Sequence, residues 1–294
     1  MQFILFCLVY PILYLVSILP FRLLYLFSDF VFSLVYYVFG YRKKAVRENI
    51  AMALPHLSEK EQRDIEKKFY KHMCDMFLEM IKTMSISEKE IEKRFVFKNL
   101  EEYLDLEKKG KSIALMCSHY ASYEWVVSMN RHINFKGYAI YKKVNNKYFN
   151  NLVKKTRSRF KASLIEIQET KSVIEENKNK NILGLYGFAA DQSPMNKPKY
   201  YRTKFMGIEV PVYTGAEMLS KKYDMNIIFL KVKKIKRGFY EAELELLSDD
   251  VKNIPDYQIT DVFLRKVEQQ ILEAPEFYLW THKRWKHRVN NQTN

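Results

Sequence analysis

Residues 3 to 39 carry only two charged side chains, Arg22 and Asp29, and this run limits what the chain can become. It is too apolar for the outside of a soluble protein and longer than one bilayer crossing requires. No Lys or Arg precedes it and no convincing small-x-small cleavage site follows, so it is expected to stay on the chain as an anchor. Pro11 and the Pro20-Phe21-Arg22 break divide it, and the expected arrangement is one tilted crossing followed by an interfacial helix, with a two-crossing hairpin as the alternative. Arg42, Lys43, Lys44 and Arg47 come immediately afterwards and favour a cytoplasmic location for everything C-terminal to them. Residues 1–40 therefore read as a membrane anchor with an interfacial helix. Residues 41–294 read as a single cytoplasmic domain, long enough to bury a sizeable core.

The charge of this domain narrows its partners. The 294-residue chain has a net charge of +15, unevenly spread. Between Trp125 and Ile165 there is no Asp or Glu, whereas Arg131, Lys136, Lys142, Lys143, Lys147, Lys154, Lys155, Arg157, Arg159 and Lys161 all fall there. Such a field suits an anionic partner: nucleic acid, anionic lipid headgroups or an acidic carrier protein. The closing run Lys283-Arg284-Trp285-Lys286-His287-Arg288 mixes cations with aromatic rings, which suits nucleic acid or a membrane interface. The apolar N-terminus selects inner-membrane lipid headgroups and excludes nucleic acid. The three cysteines, Cys7, Cys74 and Cys117, form no Cys-x-x-Cys pair and complete no zinc spacing with histidine, so no metal and no cofactor is expected.

Hydrophobic periodicity gives the architecture. Ser58-x-x-Glu61 is a capping box, and Ile65, Phe69, Met73, Met76, Phe77, Met80, Ile81 and Met84 follow at helical spacing, which predicts a long amphipathic helix with a core face. A helix from about Leu100 to a C-cap at Gly110 leads into an apolar strand, Ser112 to Cys117. Further strands are predicted at 163–167, 182–188, 227–232 and 239–247, and helices at 147–160, 171–177, 212–223 and 260–272. Strands alternating with helices imply an α/β fold with a largely parallel sheet flanked by helices. The turn at Lys234 to Gly238 adds one antiparallel hairpin and makes the sheet mixed. Ala189 to Glu209 shows little periodicity and carries Lys197, Lys199, Arg202 and Lys204, as expected of a functional or exposed polar loop.

Chemistry concentrates at Met116-Cys-Ser-His-Tyr-Ala-Ser-Tyr-Glu-Trp125, where the apolar strand gives way to a helix-like run. An offset of five turns a side chain by about 140° on a continuous helix, so His119 and Glu124 could meet only if His119 sits on the turn before it. From there Glu124 would fix the tautomer of His119 and support the imidazolium formed when the ring takes a proton from a hydroxyl. Cys117, inside the apolar strand, reads as a core residue and not as a nucleophile. Arg159, or else Arg157, is the expected cation for a phosphate or a developing negative charge. Asp191 ends a second strand and is expected either to act directly or to anchor the loop after it. His132, His282 and His287 lack a comparable setting and are expected at the surface.

These blocks resemble the glycerolipid acyltransferase superfamily, and more closely the branch that adds secondary acyl chains to lipid A. The resemblance runs from Arg47, Asn49 and Leu54-Pro55 through His119-x4-Glu124, Lys142 with Asn145-Asn146, Arg157-Ser-Arg159, Asp191-Gln192, Phe205-Met-Gly207 and Gly215 to Pro275-Glu-Phe-Tyr-Leu-Trp280 and Lys283-Arg284-Trp285-Lys286. Lys142 stands where an Arg is common, and Met206 where a second Phe is usual. The resemblance implies transfer of a fatty acyl chain from acyl carrier protein to a hydroxyl of a lipid A precursor, with His119 and Glu124 catalytic and Arg159, Arg157, Lys142, Asn146, Asp191 and Gln192 binding substrate. Another glycolipid, aminolipid or lysophospholipid acceptor is the alternative within this chemistry. A non-catalytic, membrane-tethered binder of anionic ligands would account for the anchor and the charge, but not for a His-x4-Glu block at a strand end.

Overall fold

The computed structural model describes residues 1–195 and 200–289 of the chain, so Lys197 and Lys199 of the 189–209 segment lie outside the described residues. A seven-stranded sheet is built from β1 (Phe95–Phe97), β2 (Ile113–Cys117), β3 (Lys136–Tyr141), β4 (Ser163–Glu166), β5 (Gly184–Ala189), β8 (Asn226–Lys236) and β9 (Phe239–Ser248). A separate two-stranded hairpin pairs β6 (Arg202–Phe205) with β7 (Ile208–Pro211). Across the large sheet the order is β1-β9-β8-β2-β5-β3-β4, and every neighbouring pair is parallel save the β8–β9 hairpin. The fold is thus the mixed, mostly parallel α/β sheet that the sequence predicts. All five residues of β2, Ile-Ala-Leu-Met-Cys, are buried, as befits a central strand covered on both faces.

The helices are α1 (Gln2–Ile18), α2 (Phe21–Ser33), α3 (Lys43–Ala53), α4 (Glu59–Lys82), α5 (Glu88–Arg94), α6 (Leu100–Lys108), α7 (Lys147–Ser158), α8 (Thr170–Asn179), α9 (Gly215–Tyr223) and α10 (Gln258–Glu273). A π-helical turn, Leu34–Phe39, extends α2, and Phe21–Phe39 is long and apolar enough to cross a membrane. Helix α4 starts at the capping box: the Ser58 hydroxyl accepts from the Glu61 amide, and the Glu61 carboxylate accepts from the Ser58 amide at 2.8 Å. Its buried side chains include Ile65, Phe69, Met73 and Met76 of the predicted stripe, whereas Phe77 points outward. The same helix buries Glu66, His72, Asp75, Glu79 and Lys82, so it carries polar groups inward as well as apolar ones.

Two strands of the large sheet escaped the sequence pattern. β1 has three residues, and β3 opens Lys-Gly, so neither shows a run of alternation. The segment from Ala189 to Glu209 is not wholly irregular, because β6 and β7 fold within and just beyond it. Their tight turn is Met206-Gly207, with φ of 52° and 76°. Both central residues at positive φ define a type I′ turn, which suits the twist of a two-residue hairpin.

Helix α3 and the residue before it are bonded to the segment 280–282. The Asn49 side-chain amide donates to the carbonyls of Trp280 and His282, each at 2.8 Å, and Arg42 donates to the Thr281 carbonyl at 3.0 Å. Arg47, two residues before Asn49, pairs with Glu66 at 2.8 Å. The 280–282 segment is therefore held by a buried amide far away in sequence. We expect Asn49→Ala to cost about 2 kcal/mol, because two carbonyls lose their donor in a buried setting. The check is thermal unfolding in detergent, where the variant should melt measurably below the parent.

Candidate active site

Parallel pairing of β2 with β5 puts Cys117 opposite Ala189, the last residue of each strand. Two residues beyond each end come His119 and Asp191, and they meet. His119 Nδ1 lies 2.7 Å from Asp191 Oδ1, and the same oxygen accepts the His119 main-chain N–H at 3.1 Å. Asp191 is 1% exposed and the His119 side chain 19% exposed. With Nδ1–H donated to the carboxylate, Nε2 is the lone-pair nitrogen, the arrangement a general base requires.

Electrostatics support this polarity. Burial works against the imidazolium, but the Asp191 charge and hydrogen bond outweigh it and Glu124 adds to them, so the His119 pKa lies above the ordinary histidine value. Burial likewise opposes ionisation of Asp191, and His119 overcomes it, leaving the carboxyl below its ordinary value. Cys117 is different: burial pushes its thiol up to about 12, which makes it the inert core residue expected from its strand.

Glu124 does not hydrogen-bond His119. It lies on a 3₁₀ helix, Tyr123–Arg131, where Arg157 grips it bidentately: Nη2 to Oε1 at 2.7 Å and Nε to Oε2 at 3.1 Å. The orienting role expected of Glu124 is therefore filled geometrically by Asp191, while Glu124 pulls on His119 by charge alone. Arg157 is correspondingly engaged with protein. Arg159 donates to the carbonyls of Thr83 at 2.6 Å and Ile86 at 2.9 Å, satisfying groups at and just beyond the end of α4. Asn146 is the N-cap of α7, accepting from the amides of Tyr148 and Phe149 at 3.0 and 3.3 Å. Lys142 is exposed before this cap, and Gln192, half-buried, follows Asp191.

The loop carrying His119 is stitched to residues 277–279. Ala121 N–H donates to the Phe277 carbonyl at 2.9 Å, Leu279 N–H to the His119 carbonyl at 3.1 Å, and Tyr120 forms a bridge with Tyr278. Tyr120 Oη further reaches the carbonyls of Gln270 and Ala274. Ala121 adopts φ of 50°, a strained value for a residue with a Cβ, and these bonds hold it there. Tyr123 stands edge-on to the His119 ring, with centroids 4.9 Å apart.

His282, expected at the surface, belongs to this neighbourhood. Its Nε2 accepts the Ser193 N–H at 3.0 Å. Burial pushes it down to about 4, with Asp191 pulling upward and Arg284 and His119 pressing further down. The basic tail is also only partly a surface feature. Arg284 and Trp285 are fully buried, Arg284 lying over the Phe205 ring at 4.9 Å and Trp285 donating to the Phe205 carbonyl at 3.2 Å. Among the described residues no group of three or more His, Cys, Asp or Glu side chains is placed to hold a metal ion.

A buried carboxylate and an imidazole with one nitrogen available, set at the carboxyl ends of the interior strands β2 and β5, form a pair able to take a proton from a nucleophile. Comparison with known proteins gives the class. Residues 1–287 match the family described as bacterial lipid A biosynthesis acyltransferase, and the chain belongs to that family. It is 21% identical over 278 residues to the lipid A biosynthesis lauroyltransferase of Escherichia coli (strain K12), covering 94% of this chain and 90% of that one. The apolar N-terminal helix and this likeness together point to membrane association.

The raised His119 pKa has a kinetic consequence. A base is active when neutral, so kcat/KM should rise with pH through an apparent pKa above the ordinary value of about 6.5. In Asp191→Asn the upward pull is lost while burial remains, so the inflection should move to lower pH as turnover falls. An unmoved inflection in a pH–rate profile would dissociate Asp191 from the titrating group.

Proposed function

We propose that this protein is an O-acyltransferase that moves a fatty acyl chain from the thioester of acyl carrier protein to a hydroxyl of a lipid A precursor. The observation that carries this reading is the His119–Asp191 pair at the ends of β2 and β5, in a chain of the lipid A acyltransferase family. Nε2 of His119 takes the proton as the acceptor oxygen bonds to the thioester carbonyl carbon. Asp191 stabilises the imidazolium so formed. Collapse of the tetrahedral intermediate breaks the carbon–sulfur bond, and the leaving thiolate takes the proton back from Nε2, restoring the base. Arg157 fixes the Glu124 carboxylate near the imidazolium; that carboxylate favours the protonated ring, and the guanidinium offsets part of its pull.

Residues 41–294 act in this proposal as one catalytic unit on the cytoplasmic side of the inner membrane. The cations Arg42, Lys43, Lys44 and Arg47 after the apolar segment support that side. Basic residues between Arg131 and Lys161, among them exposed Lys142, Lys143 and Lys147, supply an attractive field for an acidic donor protein or a phosphorylated acceptor. Apparent substrate affinity should accordingly weaken as ionic strength rises. Steady-state kinetics over a salt range that leaves the protein folded provide the check, and a flat response would sever the basic stretch from substrate capture.

The function itself is tested with purified protein in detergent, acyl carrier protein loaded with fatty acid, and a tetra-acylated lipid A precursor. Mass spectrometry should find a product heavier by one acyl residue. His119→Ala should lose about 10²-fold or more in turnover with its fold intact, the usual scale for removing a general base. Transfer to a lysophospholipid and not to the lipid A precursor would reassign the acceptor, and His119-independent transfer would discard the mechanism.

A further inference from the structure

We propose that α1 and α2 lie flat in a single leaflet of the bilayer as an apolar platform under the catalytic body, so that the first residues of the chain and the body share one side of the membrane. This placement does not depend on the chemistry at His119. Phe21–Phe39 has the length and composition of a crossing. Its contacts say otherwise.

Helix α1 is bonded to the body at both ends. At its C-terminal end Lys82 Nζ donates to the carbonyls of Ser17 at 2.7 Å and Leu19 at 2.8 Å, and the Ser85 hydroxyl also donates to Ser17. At its N-terminal end the Asn146 amide donates to the Gln2 carbonyl at 3.2 Å, and Phe3 and Phe6 pack on Tyr148, with centroids 5.2 and 5.6 Å apart. A helix fastened at both ends to one body runs along it and cannot also project across a membrane. Its 17 residues span about 26 Å, short of the roughly 30 Å hydrocarbon core.

Helix α2 is fastened along its length. Leu24, Ser28 and Phe32, one turn apart, are buried. Ser28 donates to Asp75 at 2.7 Å, and Tyr25 to Glu79 at 2.8 Å. Arg237, on the β8–β9 turn, bridges Asp29 at 2.8 Å and Asp75 at 2.6 Å. If Phe21–Phe39 crossed the bilayer, Asp29 would sit near its centre, where an ionised carboxylate is costly, and Arg237 would have to follow it there. Lying in the plane keeps every one of these bonds.

The opposite faces of both helices are apolar and open. Leu8, Ile12, Leu15, Leu23, Leu26 and Phe30 are between 51 and 68% exposed. Two consecutive helices displaying such faces outward mark a surface meant to be covered. The borders of this face point to lipid as the cover. Arg22 is exposed at the start of α2, and Arg42 and Lys44 follow exposed Tyr37, Phe39 and Tyr41 at its far end. Lys147 stands beside Tyr148, where α1 meets α7. Cations and tyrosines rimming an apolar face match the headgroup level of an anionic membrane and would be out of place at a contact with a second copy of the same basic rim.

The test uses the full-length chain with a protease-cleavable epitope tag at each end, in a Cys7→Ser background carrying Arg22→Cys. Sealed membrane vesicles of both orientations are treated with protease or with a membrane-impermeant maleimide. The expected result is that both tags are cut in the same orientation, and that Arg22→Cys is never labelled from the side opposite the tags. Tags on opposite sides would mean a single crossing and would overturn the proposal. Labelling of Arg22→Cys from the opposite side would mean a hairpin that crosses twice, and would overturn it as well. Recovery of the chain without detergent as a soluble oligomer would show that another copy covers the face, a third outcome against it.

Discussion

Parallel pairing between β2 and β5 is the constraint on which the rest of the molecule depends. Its register sets Cys117 against Ala189, and that alignment alone brings His119 and Asp191 within hydrogen-bond reach two residues further on. A slip of one residue would turn each side chain to the other face of the sheet and separate the pair. The register is protected by burial, since β2 is covered on both faces and Leu185 and Tyr186 of β5 are buried as well. Core packing and chemistry are thus the same specification, written in the same ten or so residues.

Around this pair, the surroundings act to hold a strained loop. Ala121 at positive φ, the bridge between Tyr120 and Tyr278, and the bond from Leu279 to His119 tie the end of β2 to the closing segment. Asn49 ties that segment to α3, and Arg159 ties the end of α4 to α7. Several polar residues that look like substrate contacts in the sequence are spent on this framework. Preorganised partners matter for a base because the imidazolium must find its carboxylate already in place, with no reorganisation during proton transfer.

The sequence conveyed strands well where burial made them apolar, as in β2 and the first halves of β5 and β8, and helices where capping and periodicity agreed, as in α4. It did not convey β1, three residues long, or β3, whose first two residues are Lys-Gly. His119 was legible as the candidate base because it comes two residues after an apolar strand. Its carboxylate partner was not, because Glu124 is near in sequence while Asp191 is near only through sheet register, a long-range fact that local spacing does not carry. The same limit explains Arg157 and Arg159. A guanidinium facing solvent and one capping a distant helix have the same local pattern, and the structure separates them only through Glu124 and the carbonyls of Thr83 and Ile86. His282 was expected at the surface because its partial burial comes from packing around the closing segment and not from any periodic run.

The central claim is that His119 and Asp191 work as one unit, and a double-mutant cycle on turnover tests it most directly. His119→Ala, Asp191→Asn and the double variant would be compared on correctly folded protein with the same donor and acceptor. If Asp191 acts through the imidazole, removing it after His119 is already gone should cost almost nothing further, so the double variant should turn over at nearly the rate of His119→Ala alone. Losses that multiply, each substitution reducing the rate by the same factor with or without the other, would contradict the account and assign the two residues to separate steps.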